Sequence, residues 1–168
     1  GGWSLDVQHA YDPNARTLYL GDGSFRRSGI QGGTLRTVAG NGSFVDSGDG
    51  GPATAAGLFN NWGLAYDPDG SLYINTFRRI RKVGADGIIT TVAGNGSYGF
   101  GGDGGPATAA AFLSSGYMAT APDGRLYIVD WLNHRIRRVG TDGIITTVAG
   151  SGGTGHSAGG FAGDGGPV

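Results

Sequence analysis

Short runs in which β-branched and aromatic residues alternate with polar ones recur along the whole chain, each closed by glycine, proline or aspartate. A period of two over a handful of residues is the mark of a strand with one buried face. In the clearest stretch four strands are predicted: Trp62 to Tyr66, Ser71 to Asn75, Arg79 to Val83 and Ile88 to Val92. Asp67-Pro68-Asp69-Gly70 turns the first pair, with Pro fixing φ at the second position and Gly accepting a positive φ. Gly84-Ala85-Asp86-Gly87 turns the last pair. The pattern returns as Tyr117 to Ala121, Arg125 to Val129, Arg135 to Val139 and Ile144 to Val148, and more loosely between Val7 and Ala39.

The spacing of these runs is regular. Thr-Val-Ala-Gly ends at Gly40, Gly94 and Gly150, and Gly-Asp-Gly-Gly-Pro carries its Asp at 49, 103 and 164. Pro13, Pro68 and Pro122 keep the same period of about 55 residues, which is the scale of propeller blades and other repeat architectures. Four hairpin-linked antiparallel strands per repeat predict β-propeller blades, because the coils of a parallel β-helix lack hairpin turns. The expectation is an all-β fold of about three blades, a partial propeller over 1–168 with repeats at approximately 1–60, 61–113 and 114–168. Three blades do not close a ring, so open edges and faces need covering, by further blades of a parent chain or by a second copy.

Composition narrows the function classes. The 37 glycines and the absence of Glu leave few good helix formers, so helices should be short. A net charge of −1 argues against bulk attraction to polyanions, and nucleic acid is not an expected partner. There is no cysteine, hence no disulfide and no thiolate metal site. No apolar run is long enough to span a membrane, so membrane insertion is not expected. The opening Gly1-Gly2-Trp3 is read as the middle of a longer polypeptide.

Asp130-Trp131-Leu132-Asn133-His134-Arg135-Ile136-Arg137 followed by Gly143-Ile144-Ile145-Thr146-Thr147-Val148-Ala149-Gly150 resembles the NHL repeat, as does Gly63 to Tyr73. NHL propellers usually have six blades, which implies that this chain is half of one. The stretch from Gly2 to Pro13, then Arg16 to Gly23, is similar to the start of the NHL propeller in Rhs-type, YD-repeat bacterial proteins and their animal relatives, the teneurins. That resemblance implies a propeller within a secreted or cell-surface polypeptide, a scaffold presenting loops to a protein or carbohydrate ligand. It also brings two alternatives, a metal-dependent propeller lyase or hydrolase and an RNA-binding propeller. The second unit departs from the pattern, with Thr76-Phe77-Arg78 where an Asn-His pair is expected.

The candidate residues have structural readings beside the chemical ones. His134, with Asp130 and Asn133 near it, is the most tempting catalytic group, yet Asx side chains and histidines in loops commonly bond backbone amides. His9, His134 and His156 fall in different units, so no zinc set is assembled. Asp49, Asp103 and Asp164 sit in glycine-rich loops; calcium is the one ion that could favour them, but each loop offers one carboxylate, or two at the first with Asp46. Their expected role is to cap a helical turn such as Ala107 to Ala111, with Pro106 at its first position. The arginine pairs on the third strands are expected to be solvated edges. Trp62, Tyr66, Tyr73, Tyr117 and Tyr127 are expected to pack between blades. No catalytic or metal residue and no cofactor is therefore assigned.

Overall fold

In the computed structural model the described residues are 9–12, 17–21, 25–29 and 35–152, with side chains described from 36 to 152. Among the described residues twelve strands form three four-stranded antiparallel sheets in chain order. The first blade holds β1 (His9–Asp12), β2 (Thr17–Gly21), β3 (Phe25–Gly29) and β4 (Leu35–Ala39). The second holds β5 (Gly63–Tyr66), β6 (Leu72–Asn75), β7 (Ile80–Val83) and β8 (Ile89–Ala93). The third holds β9 (Ser115–Thr120), β10 (Leu126–Asp130), β11 (Arg135–Val139) and β12 (Ile145–Ala149). The period-two runs therefore fold as strands, with ends within two residues of those expected. Asp164 and His156 lie outside the described residues, and His9 is described through its backbone alone.

The first strand of each sheet lies beside the first strand of the next, β1 by β5 and β5 by β9, so the blades fan out from a common inner side. Close approach there requires small residues. A Cβ on Gly63 would come within 3.2 Å of the Gly116 carbonyl oxygen in β9.

The core lies in the seams between blades. Ala39, Ala53, Ala56, Leu58, Leu72, Ile74, Val83 and Ile89 form one buried cluster between the first and second blades. A second joins Ala65, Tyr73, Ile80 and Ala93 to Phe112, Leu126, Ile128, Val139 and Ile145. Each fully buried isoleucine contributes about 1.5–3 kcal/mol of apolar transfer, which makes the seams the main source of cohesion.

The expected helical turns are shorter than the sequence suggested. Ala53–Ala55 and Ala107–Ala109 each form one 3-10 turn, whose first residue is buried in a seam. The segments around them tie successive blades together. Gly40 N–H donates to Ala53 O at the end of the first blade, while Gly50 N–H donates to Ile89 O and Ala53 N–H to Gly87 O on the second. Gly94, Gly104 and Ala107 repeat those bonds toward Ala107, Ile145 and Gly143. An outer strand of one blade is thus stitched to the outer strand of the next by the loop between them.

Candidate functional site

Asp49 and Asp103 do not cap the turns that follow them: Pro52 and Pro106 hold the cap positions and no side chain bonds there. They anchor arginines instead. Arg81 places Nη2 2.7 Å and Nε 3.1 Å from Asp49 Oδ1, and Arg137 repeats the arrangement on Asp103 at 2.6 and 3.1 Å. The other oxygen of each carboxylate is bonded by the fourth strand, through the Thr91 hydroxyl at 2.6 Å and the Thr147 amide at 3.0 Å. Remaining guanidinium protons go to loop carbonyls, Ser47 O for Arg81 and Gly101 O and Ala111 O for Arg137. These arginines were expected in solvent and are instead fully buried. Each sits on the strand face that meets the preceding blade, Arg81 with Val83 and Arg137 with Val139, so the loop from that blade covers the guanidinium; the extra residue of the neighbouring β-bulge, Val92 or Val148, lies in the fourth strand. The sequence signal that could have found the pair is the spacing of 32 and 34 residues from loop Asp to strand Arg.

Asp130 and Asn133 are brought together. Asn133 Nδ2 lies 2.9 Å from both oxygens of Asp130, and Arg137 Nη1 lies 3.8 Å from one of them. Burial pushes the Asp130 carboxyl up to about 6, against the lowering influence of Asn133 and Arg137. His134 closes the 3-10 turn Trp131–Asn133 through its backbone N–H to Trp131 O, at a positive φ of 52°. In the second blade Asn75 stands at the matching end of β6. Its Nδ2 donates to Gly116 O and its Oδ1 accepts the Phe77 amide at 2.9 Å, while Ser115 Oγ lies 2.9 Å from the same oxygen. These buried polar groups hold loops and seams.

The turn end of the second blade is similarly satisfied. Tyr73 donates its hydroxyl to Asp67 Oδ2 at 3.1 Å, and Lys82 Nζ reaches Asp69 Oδ2 at 3.2 Å. Among the described residues no three His, Cys, Asp or Glu side chains converge on a point that could hold a metal ion.

What remains open is apolar. Trp62 and Tyr117, expected between blades, are instead 54% and 62% exposed. With Phe77, Trp131 and Leu132 they line a depression of about 390 Å³ between the second and third blades. Phe77 forms its wall. Phe77 also lines a second depression of about 280 Å³, together with Phe44, Phe59, Arg78 and Arg79. Phe77 takes a positive φ of 70°, an expensive conformation for a non-glycine residue. Neighbours on both sides hold it there: its amide bonds Asn75, and its carbonyl oxygen accepts the Ser115 amide at 3.0 Å.

Arginine–aromatic stacking continues this surface. Arg78 lies over Phe77 and over Tyr98, 5.0 and 4.7 Å from the ring centres, and Arg135 lies 3.8 Å from the centre of Phe100. Arg78 was expected, with Arg79, in a solvated pair on the third strand, and lies instead just before β7, half-buried. The departure at Thr76-Phe77-Arg78 from the NHL pattern was the available signal.

Comparison with known proteins agrees with this architecture. The Teneurin NHL domain profile matches residues 9–100. Teneurin-m of Drosophila melanogaster is 34% identical over 143 residues, covering 83% of this chain and 5% of the fly protein. Teneurin-3 of Mus musculus is 32% identical over 142 residues, 82% of this chain and 5% of its own length. The chain therefore spans a small part of these relatives. A crystal structure of a protein of unknown function from Bacteroides thetaiotaomicron superposes with a TM-score of 0.64 at 21% identity, covering 91% of this chain and 40% of that one.

Proposed function

The chain belongs to the teneurin NHL-domain family, and on that premise we propose that it is a non-catalytic interaction and structural module of a larger secreted or cell-surface polypeptide. Further blades of the parent complete its ring, and the aromatic loop surface meets a protein or carbohydrate partner. The reading needs no metal and no cofactor. The observation that carries it is a division of labour among side chains. The acidic and amide groups that looked like chemistry, Asp49, Asp103, Asp130 and Asn133, are engaged in holding loops and seams. The large hydrophobics left exposed include Phe44, Trp62, Tyr98, Tyr117 and Trp131, several of them around two adjoining depressions. Exposed aromatic patches of this kind are typical of interaction sites.

The test combines metal content with binding. After dialysis the protein should carry no stoichiometric zinc or calcium. Trp62→Ser with Trp131→Ser should abolish binding to arrays of cell-surface ectodomains and glycans while leaving the circular dichroism spectrum unchanged. Tightly held metal accompanied by lyase or hydrolase turnover would overturn the reading.

A further inference from the structure

The geometry points to a two-part receptacle for a polypeptide segment in which an apolar side chain stands next to a carboxylate, the apolar group entering the Trp62–Trp131 depression and the carboxylate meeting Arg78. This rests on the interaction reading above and names the partner's chemistry. The first part is nearly all hydrocarbon and aromatic wall. Its polar side-chain groups are the Ser114 and Ser115 hydroxyls, the Tyr117 phenol and the indole N–H groups of Trp62 and Trp131, and the Ser115 hydroxyl already lies 2.7 Å from Phe77 O and 2.9 Å from Asn75 Oδ1. A sugar, whose hydroxyls each need a partner, would find few there. An aliphatic or aromatic side chain loses nothing by entering, and about 390 Å³ is room for one.

The second part supplies the charge. Arg79 and Arg81 are engaged with Asp46 and Asp49. Arg78 differs. Among the described residues its side chain makes no ion pair or hydrogen bond, and its Nε is buried without a partner. Phe77 and Tyr98 flank the guanidinium, their ring centres 5.0 and 4.7 Å from its carbon, and with Nε covered the two Nη groups are the unspent donors. A planar, held fork of donors matches a carboxylate in two places at once. One such cation at a net charge of −1 does not suit a polyanion, so the acid is a single group and not a nucleic-acid backbone. Phe77 lines both depressions, so the two groups must be neighbours on one ligand.

The experiment is a selection of short random peptides on the folded full chain, followed by affinity measurement by fluorescence anisotropy. Winners should carry Asp or Glu beside Leu, Phe, Tyr or Trp. Arg78→Gln should weaken the best peptide about tenfold or more, replacing its acid by the amide should weaken it equally, and the two changes together should add little. Arg78→Lys should recover part of the loss. Winners without an acid, or with unchanged affinity for Arg78→Gln, overturn the inference. If those winners still lose binding on Trp62→Ser with Trp131→Ser, the interaction surface stands and the carboxylate assignment falls. If they ignore both variants, both readings fall. Thermal unfolding of each variant separates lost contacts from lost fold.

Discussion

Arg137 reaches back 34 residues to Asp103, with Nη2 at 2.6 Å and Nε at 3.1 Å from one carboxylate oxygen. The arginine is fully buried, whereas the aspartate is a third exposed. Removing Asp103 leaves a buried cation with loop carbonyls and a more distant carboxylate, Asp130 at 3.8 Å, as its partners. Asp103→Ala should therefore lower stability by about 3 kcal/mol, and Asp49→Ala by a similar amount through Arg81. Arg137→Met combined with Asp103→Ala should lose less than the sum of the single changes. Denaturant unfolding of the four proteins in the cycle checks this.

Asp130 gives a pH dependence of the opposite sense to Asp103. Because burial raises its carboxyl to about 6, its contribution is fully present below the unfolded value and is lost as pH rises through about 6. The change is on the order of 2–3 kcal/mol. Asp103 is pushed up by burial, but hydrogen bonds from Thr147 and Arg137 outweigh that and hold it below the ordinary range. Its contribution is thus present at neutral pH and lost on acidification. Asp130→Asn should gain stability relative to the parent as pH goes from 4 to 7. Melting temperatures of the two proteins across that range measure the difference, and a difference that stays flat would contradict it.

Glycines with positive φ should fall into two classes. Gly94 and Gly150 have φ of 87° and 89°, and a Cβ on either would run into a backbone carbonyl, that of Arg78 or His134. Gly94→Ala should cost about 2–4 kcal/mol. Gly87, at φ 77° with nothing near its missing Cβ, should cost only about 1 kcal/mol as Ala. Paired thermal melts decide the ordering.

One hydroxyl adds two bonds to the joint between the second and third blades. Ser115→Ala removes the group between Asn75 Oδ1 and Phe77 O and should cost about 1–2 kcal/mol. Because Phe77 is held in a strained conformation from this side, the variant should also raise amide exchange at Phe77 and Arg78. Hydrogen-exchange mass spectrometry reads that directly.

The strands of the second and third blades were legible because short β-branched and aromatic runs are closed by turns with their own chemistry, as at Asp67 to Gly70. The clamps were half legible. Alternation puts Arg81 and Lys82 on opposite faces, but it does not say which face the loop of the preceding blade covers. The sequence also marked Trp62 and Tyr117 as strand aromatics without showing that no neighbouring blade covers them. Whether a seam reaches a given ring depends on how the sheets fan, which is a property of the assembly. Phe77 and Arg78 were marked only by a departure from the repeat pattern: their importance comes from a left-handed φ and from the absence of a partner, and neither is written in residue type.

The stitching loops set the phase in which this chain can be divided. Asp49 precedes β5 yet serves Arg81 and Thr91 inside the second blade, and Asp103 stands in the same relation to the third. A cut made at the strand boundaries would separate each arginine from its acid. A cut made upstream of the glycine-rich loop keeps acid and arginine in one heritable piece, so duplication, deletion or transplantation of a repeat preserves its internal electrostatics only in that frame.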